Sequence, residues 1–283
     1  MSRRRFLRRA IFGAAALLGG RAIWSLARER HSIRIRRIKI RLPLLPRSLE
    51  GFTICQLSDL HRGPLVSEEH IRRGAALAMS LRPDLIVLTG DYVSGSASHA
   101  ESCGRALSSL GAPHGVYGVL GNHDYWSRDA ARVSRTIAEA GVHILSNESV
   151  RIGSTGEALW LCGLDDVWSG SPDLTAALGE EPDDGFKILL CHEPDFADIA
   201  STRKIPLQLS GHSHGGQVRV PGIGALLLPY LGRRYPIGLR QVKDSLMVVY
   251  TNVGLGLVFP PVRFNCPPEV THLTLMRPRP HGI

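Results

Sequence analysis

Leu85 to Asp91 reads Leu-Ile-Val-Leu-Thr-Gly-Asp, four apolar residues that run almost directly into a glycine and a carboxylate. An apolar run this short, closed by a Gly-Asp turn, reads as a buried strand with a chemically useful side chain at its C-terminal end. The same arrangement recurs four times. Thr53 to Leu57 runs into Ser58-Asp-Leu-His61, and Val116 to Leu120 into Gly121-Asn-His-Asp124. Ile188 to Cys191 runs into His192-Glu-Pro-Asp195, and Leu207 to Leu209 is followed by Gly211-His-Ser-His214. In layered α/β folds the C-terminal ends of strands gather on one edge of the sheet, where ligands bind, so motifs far apart in sequence converge on one site.

The residue types in these loops are those of a two-metal hydrolase. Two divalent ions about 3.5 to 4 Å apart need a bridging carboxylate, oxygen and imidazole ligands around each, and open positions for water and substrate. Asp59 and His61, two apart on an extended segment, point to one side and suit the first ion. Asp91 is assigned as the bridge. Asn122, His192 and His212 fit the second ion, and His214 returns to the first. His123 is left for proton donation to a leaving alkoxide, with Asp124 as the carboxylate that orients it. A hydroxide acidified by the two ions would attack phosphorus in line. Each short motif alone also occurs as an ordinary turn or helix start; five in this order at five strand ends are not explained that way.

Taken in order, DLH, GD, GNHD, a strand-end His and GHSH resemble the calcineurin-like metallophosphoesterase superfamily over about residues 50 to 276. The segments GHSHGGQVRVPG and TNVGLG…PPVRFNCPPEVTHL are similar to its bacterial phosphodiesterase branch with twin-arginine signals. The resemblance implies a layered α/β fold of four layers, a central β-sandwich flanked by helices, with the active site at strand C-terminal ends. It carries over the seven ligands Asp59, His61, Asp91, Asn122, His192, His212 and His214. No motif residue is missing, so an active enzyme is expected. The donor set tolerates manganese, iron or zinc.

The chain's 34 basic and 25 acidic residues give a net charge of +9, but the excess is local. Residues 1 to 42 hold thirteen Arg or Lys and one acid, Glu29, leaving 34 − 13 = 21 basic and 25 − 1 = 24 acidic residues elsewhere. The catalytic part is thus slightly acidic, which argues against nucleic acid as a partner. Ser2 to Arg8, SRRRFLR, followed by the apolar Ala10 to Gly20, reads as a twin-arginine export signal, with a basic amphipathic membrane-surface helix as the alternative. Ser25-Leu26-Ala27 is a mediocre cleavage site, so retention as an anchor competes with removal. The expected partners are therefore the twin-arginine translocase and, through the N-terminus, the membrane. The expected location is the periplasm or the outer face of the cytoplasmic membrane. Five cysteines, an odd number mostly on apolar runs, predict no disulfide framework, and Cys191 is expected to pack in the core.

Three regions are expected: a signal or anchor over residues 1–30, one catalytic domain over 31–276 and a flexible tail over 277–283. Ile33 to Leu42 alternates with basic residues as a strand, with a slip at Arg36-Arg37 that predicts a bulge; its basic face suits either anionic lipid or protection of a sheet edge. Helices are predicted from a Ser67 cap to Leu81, from a Ser127 cap to Ala140 and over Ala100 to Leu110, and a second sheet after about residue 142. Leu226 to Leu228, in the apolar loop Pro221 to Leu239, are expected in the core, the alternative being an exposed surface beside the metals for an acyl chain or membrane. Asp165 to Asp173, around Trp168, is a rim loop. The expected activity is hydrolysis of phosphodiester or pyrophosphate bonds by a monomer. The alternatives are a UDP-2,3-diacylglucosamine-type lipid pyrophosphohydrolase and a non-catalytic, metal-stabilised envelope protein.

Overall fold

Alternate side chains of each central strand serve two different cores, as a period of two requires. Ile86 and Leu88 pack among helix residues such as Ile71, Ala78, Cys103 and Ile137, while Leu85 and Val87 pack against Leu161, Ile188 and Leu209. The computed structural model describes residue 5 and residues 29–153, 159–179 and 185–278. The Ser2–Arg8 motif apart from Arg5, the apolar stretch 10–20, the cleavage triplet 25–27 and residues 279–283 of the tail lie outside the described residues.

The elements in chain order begin with β1 (Arg34–Arg41), β2 (Thr53–Leu57), α1 (Glu68–Ser80), β3 (Leu85–Thr89), α2 (Ala100–Leu107) and β4 (Val116–Val119). Then come α3 (Asn122–Trp126), α4 (Ala130–Glu139), β5 (His143–Ile144), β6 (Glu148–Ile152), β7 (Leu159–Gly163), α5 (Leu174–Leu178) and β8 (Phe186–Leu190). The remainder is α6 (Ala197–Ala200), β9 (Leu207–Ser210), the short hairpin β10 (Arg219–Val220) and β11 (Gly224–Ala225), β12 (Gly238–Gln241), β13 (Val248–Thr251) and β14 (Glu269–Met276).

Two six-stranded sheets face one another, ordered β1-β14-β2-β3-β4-β5 and β12-β13-β9-β8-β7-β6. The inner faces share one core, Leu85, Val87, Leu161, Ile188, Leu190 and Leu273 among its members. Helices α1, α2 and α4 cover the outer face of the first sheet, and α5 and α6, with Cys191, Ala197 and Val249, that of the second. This is the expected four-layer sandwich flanked by helices. β2, β3 and β4 run parallel, as do β7, β8 and β9, so the C-terminal ends of all five motif-bearing strands face one edge. The second sheet begins with β6, yet β14 crosses back to the first, between β1 and β2.

Two local expectations are corrected. β1 pairs residue for residue with β14 from Arg34 to Arg41, so no bulge interrupts it. The slip in its pattern marks a change of covered face: Ile33 packs against the helix-side core, whereas Ile38 and Ile40 pack between the sheets. Helix α4 is capped by Asp129, which accepts the Arg132 N–H at 3.0 Å, not by Ser127, which ends the short helix opened by the GNHD motif. The Ser67 cap of α1 stands, accepting the His70 N–H at 3.2 Å. All five cysteines are free and buried. Glu29 accepts the N–H groups of Asn265 and Cys266, both at 2.9 Å, tying the first described segment to the loop before β14.

Candidate metal centre

Seven ligand candidates from five loops meet in one buried cluster. Asp59, His61 and His214 bring a ligand atom each within 4.8 Å of one another, as do Asp59, Asp91 and His192. Asp91 stands between the halves. Its Oδ2 lies 3.4 Å from His61 Nε2 and 3.3 Å from His192 Nε2, while its Oδ1 accepts the His123 backbone N–H at 2.8 Å. Asp59 Oδ1 is 3.4 Å from His214 Nε2, and the Asp59 carboxylate accepts the His212 N–H and the Ser58 hydroxyl.

The imidazoles are set for ligation by the bonds of their other nitrogens. His192 Nδ1 meets the Thr89 carbonyl at 2.6 Å and His212 Nε2 the Tyr230 carbonyl at 2.7 Å; a carbonyl only accepts, so those nitrogens carry the protons. That leaves Nδ1 of His212 with a free lone pair. Nε2 of His192 turns to the Asp91 carboxylate at 3.3 Å, whose charge outweighs burial and raises this imidazole well above its usual value until a metal takes the proton's place. Burial lowers His61 to about 3, and burial also lowers His212 and His214, so all three rings are neutral, the form that binds metal. Burial opposes the charge on Asp91, but the facing His192 imidazole, foremost among its neighbours, outweighs it and holds the carboxyl well below the usual range. Asp59 has weaker support, and burial pushes it up to about 7.

The donor set fits divalent metal on the cluster's own evidence. His192 Nε2 and Asn122 Oδ1 are buried without a hydrogen-bond partner, which is costly for polar atoms. The Nε2 atoms of His61 and His214 face each other at 2.9 Å. Asp59, His61, Asp91, His212 and His214 all have left-handed backbone, φ between 49° and 68°. Non-glycine residues adopt this conformation at a cost, and it clusters at functional sites.

Asp124 departs from its expected place. Its Oδ1 accepts the N–H groups of Tyr92 and Val93 at 2.8 and 3.1 Å, and its Oδ2 that of Gly121 at 3.0 Å. The carboxylate is spent on backbone and does not orient the His123 ring. It clamps the loop after Asp91 to the start of α3, which carries Asn122 and His123. The half-buried His123 ring instead lies edge-on to His61, centroids 4.7 Å apart, and 4.8 Å from Trp126.

Residues outside the assigned ligand set complete the site. Arg263 is fully buried and donates to the carbonyls of Val253, Gly254, Gly256 and Cys266, bracing the loop against His214. Its one sequence signal is a lone cation in an apolar, proline-rich stretch. The Glu193 carboxylate accepts the N–H groups of Val167 and Trp168, both at 3.2 Å, and holds the Asp165–Asp173 loop so that Trp168 stands 5.7 Å from the His212 ring. Asp195 accepts the N–H groups of Arg233, Arg234 and Tyr235, fixing the other rim. The core expectation for Leu226 to Leu228 is overturned: Leu226 is 57% and Leu227 75% exposed, while Leu228 is half-buried outside the three core clusters. The turn after β10 and β11 lifts them away from both sheets.

Comparison with known proteins now places the chain. Residues 52–216, more than half its length, match the model of the family described as calcineurin-like phosphoesterase, and the chain belongs to that family. It is 34% identical to an uncharacterized metallophosphoesterase, YkuE, of Bacillus subtilis, over 97% of this chain and 98% of that one. It is 32% identical to phosphodiesterase YaeI of Escherichia coli, over 84% of this chain and 87% of that one. A transmembrane protein with a metallophosphoesterase domain from Danio rerio is 29% identical over 90% of this chain and 60% of its own length. Family and cluster together define a metal-dependent phosphoester hydrolase. Among the described residues no helix is long and apolar enough to cross a membrane.

Gly121 tests the packing that holds this centre. A Cβ there would meet Asp91 Oδ1 at 2.4 Å and its backbone N at 2.7 Å, so Gly121→Ala must displace Asp91. The expected result is metal affinity lower by about 10- to 100-fold, the usual effect of disturbing a ligand's support, in a folded protein, read by equilibrium dialysis and circular dichroism.

Proposed function

We propose that the chain is a binuclear phosphodiesterase of the cell envelope, cleaving phosphodiester or pyrophosphate bonds. The observation that carries this reading is the division of Asp91: one oxygen held by a backbone N–H, the other shared by imidazoles from β2 and β8. A carboxylate so placed could serve two ions: Asp59, His61 and His214 would hold the first, Asn122, His192 and His212 the second, and Asp91 both. Manganese, iron or zinc suits these donors. When bound, such ions polarise phosphoryl oxygens and acidify water.

The chain's own residues do the rest. His123, at the wall of the cavity beside the cluster, delivers the proton to the leaving oxygen. Asp124 acts one step back, fixing the backbone from which Asn122 and His123 project. Trp126 and Trp168, 4.9 Å apart with their rings nearly perpendicular, line the cavity beside His123 and His212. The SRRRFLR motif and the apolar stretch behind it support export through the twin-arginine translocase, with the domain as a monomer outside the cytoplasmic membrane. A relative named as transmembrane supports a membrane association. A structural metal site needs no proton donor, and His123 argues against a non-catalytic role.

His123→Ala is expected to lower kcat about 10²- to 10⁴-fold on an alkyl diester, whose alkoxide needs a proton, and far less on bis(p-nitrophenyl) phosphate, whose leaving group does not. Equal losses on both substrates would remove His123 as the acid. Protease added to intact spheroplasts is expected to digest the catalytic domain; full protection would contradict the envelope placement.

A further inference from the structure

The metal cluster opens on one side into a cavity of about 500 Å³, within the range of small-molecule sites. Asp91, Asn122, His123, His212 and His214 form its polar end. The rest is mainly apolar: Leu226 to Pro229, Val258 to Pro260 and the rings of Trp126 and Trp168, with Ser213 and Gln217 among them. Leu227 and Phe259, 75% and 86% exposed, are large apolar side chains left in water next to a catalytic centre. Isolated exposed leucines are ordinary, but apolar residues gathered at a pocket mark a binding surface.

The polar side chains within this wall are committed elsewhere. Gln217 Nε2 donates to the carbonyls of Val258 and Pro260 at 3.1 and 3.0 Å, and its Oε1 accepts the Val258 N–H at 3.0 Å. Ser213 Oγ donates to the Pro236 carbonyl and Trp126 Nε1 to the Ser169 hydroxyl. Among the described residues no Lys or Arg lines the cavity. A nucleobase or sugar in the apolar part would therefore lose its hydrogen bonds to water and find few in return. The Gln217 bonds also join the loop after the GHSH motif to the Val258–Pro260 segment, so the walls are fixed in place.

We propose that this cavity binds a hydrocarbon chain, and that the enzyme's substrates are phosphoesters bearing an aliphatic group. The phosphoryl group lies at the metal cluster and the chain between Leu226–Leu228 and Val258–Pro260. This rests on the phosphoesterase reading above. Hydrocarbon buried there strengthens binding by up to about fourfold per methylene.

The test is equilibrium binding of ethyl, butyl and octyl phosphate, below their micellar concentrations, to the full chain, followed by isothermal titration calorimetry. Octyl phosphate is expected to bind about a hundredfold or more tighter than ethyl phosphate, since six further methylenes enter the cavity. In Leu227→Asn/Phe259→Asn, whose exposed positions tolerate polar groups, the dependence on chain length is expected to flatten. Equal affinity for all three phosphates in the unaltered chain overturns the proposal. Hydrolysis of bis(p-nitrophenyl) phosphate by the same metal-loaded preparation reads the underlying chemistry separately. A flat series beside intact hydrolysis removes the chain site alone. A steep series without hydrolysis of any diester leaves the chain site standing and removes the phosphoesterase reading.

Discussion

Three carboxylates, Asp59, Asp91 and Asp124, are buried almost completely at the edge where five strands end. Burying a charge costs several kcal/mol unless it is paired and hydrogen-bonded, and this cost shapes the loops around them. Each carboxylate draws in backbone from another strand: Asp124 takes N–H groups from the loop after β3, Asp91 one from α3, and Asp59 one from the loop after β9. These bonds cross between strands and between sheets, so the charges that need compensation are also what brings the loops together. The remaining faces of Asp59 and Asp91 meet imidazoles, and a divalent ion there turns an electrostatic burden into binding energy.

The same constraint explains the strain and the small residues. Left-handed backbone at five of the seven ligand candidates turns each side chain back toward a common point directly after its strand. Gly211 allows the approach, since a Cβ there would lie 1.9 Å from the Ser58 hydroxyl and 2.3 Å from Asp59 Oδ2. A polar, tightly braced end thus opens into an apolar cavity, and the boundary between them falls at His123 and His212.

The sequence made the strand-end motifs legible because buried strands and metal ligands both leave short, local signals. The parallel order of β2, β3 and β4, the second sheet and the convergence of Asp59, His61, Asp91, Asn122, His192, His212 and His214 follow from those signals. What it did not disclose depends on partners distant in sequence. Asp124 follows His123 directly, and adjacency read as partnership, whereas the carboxylate turns to the backbone of residues 92, 93 and 121. The Arg36-Arg37 slip reads locally as a bulge, but it records which face β14 and the helices cover. Leu226 to Leu228 carry the composition of a core segment, and only the β10–β11 turn shows that they miss both sheets. Arg263 and Glu193 act on carbonyls and N–H groups, which have no side-chain signature.

An Asp91 bridge between ions in the two halves of the cluster would couple them magnetically, which electron paramagnetic resonance of the chain titrated with manganese reads. Two equivalents are expected to give the multiline spectrum of an exchange-coupled pair, lost in Asp91→Asn. A spectrum of isolated, uncoupled manganese at every loading would contradict the bridge.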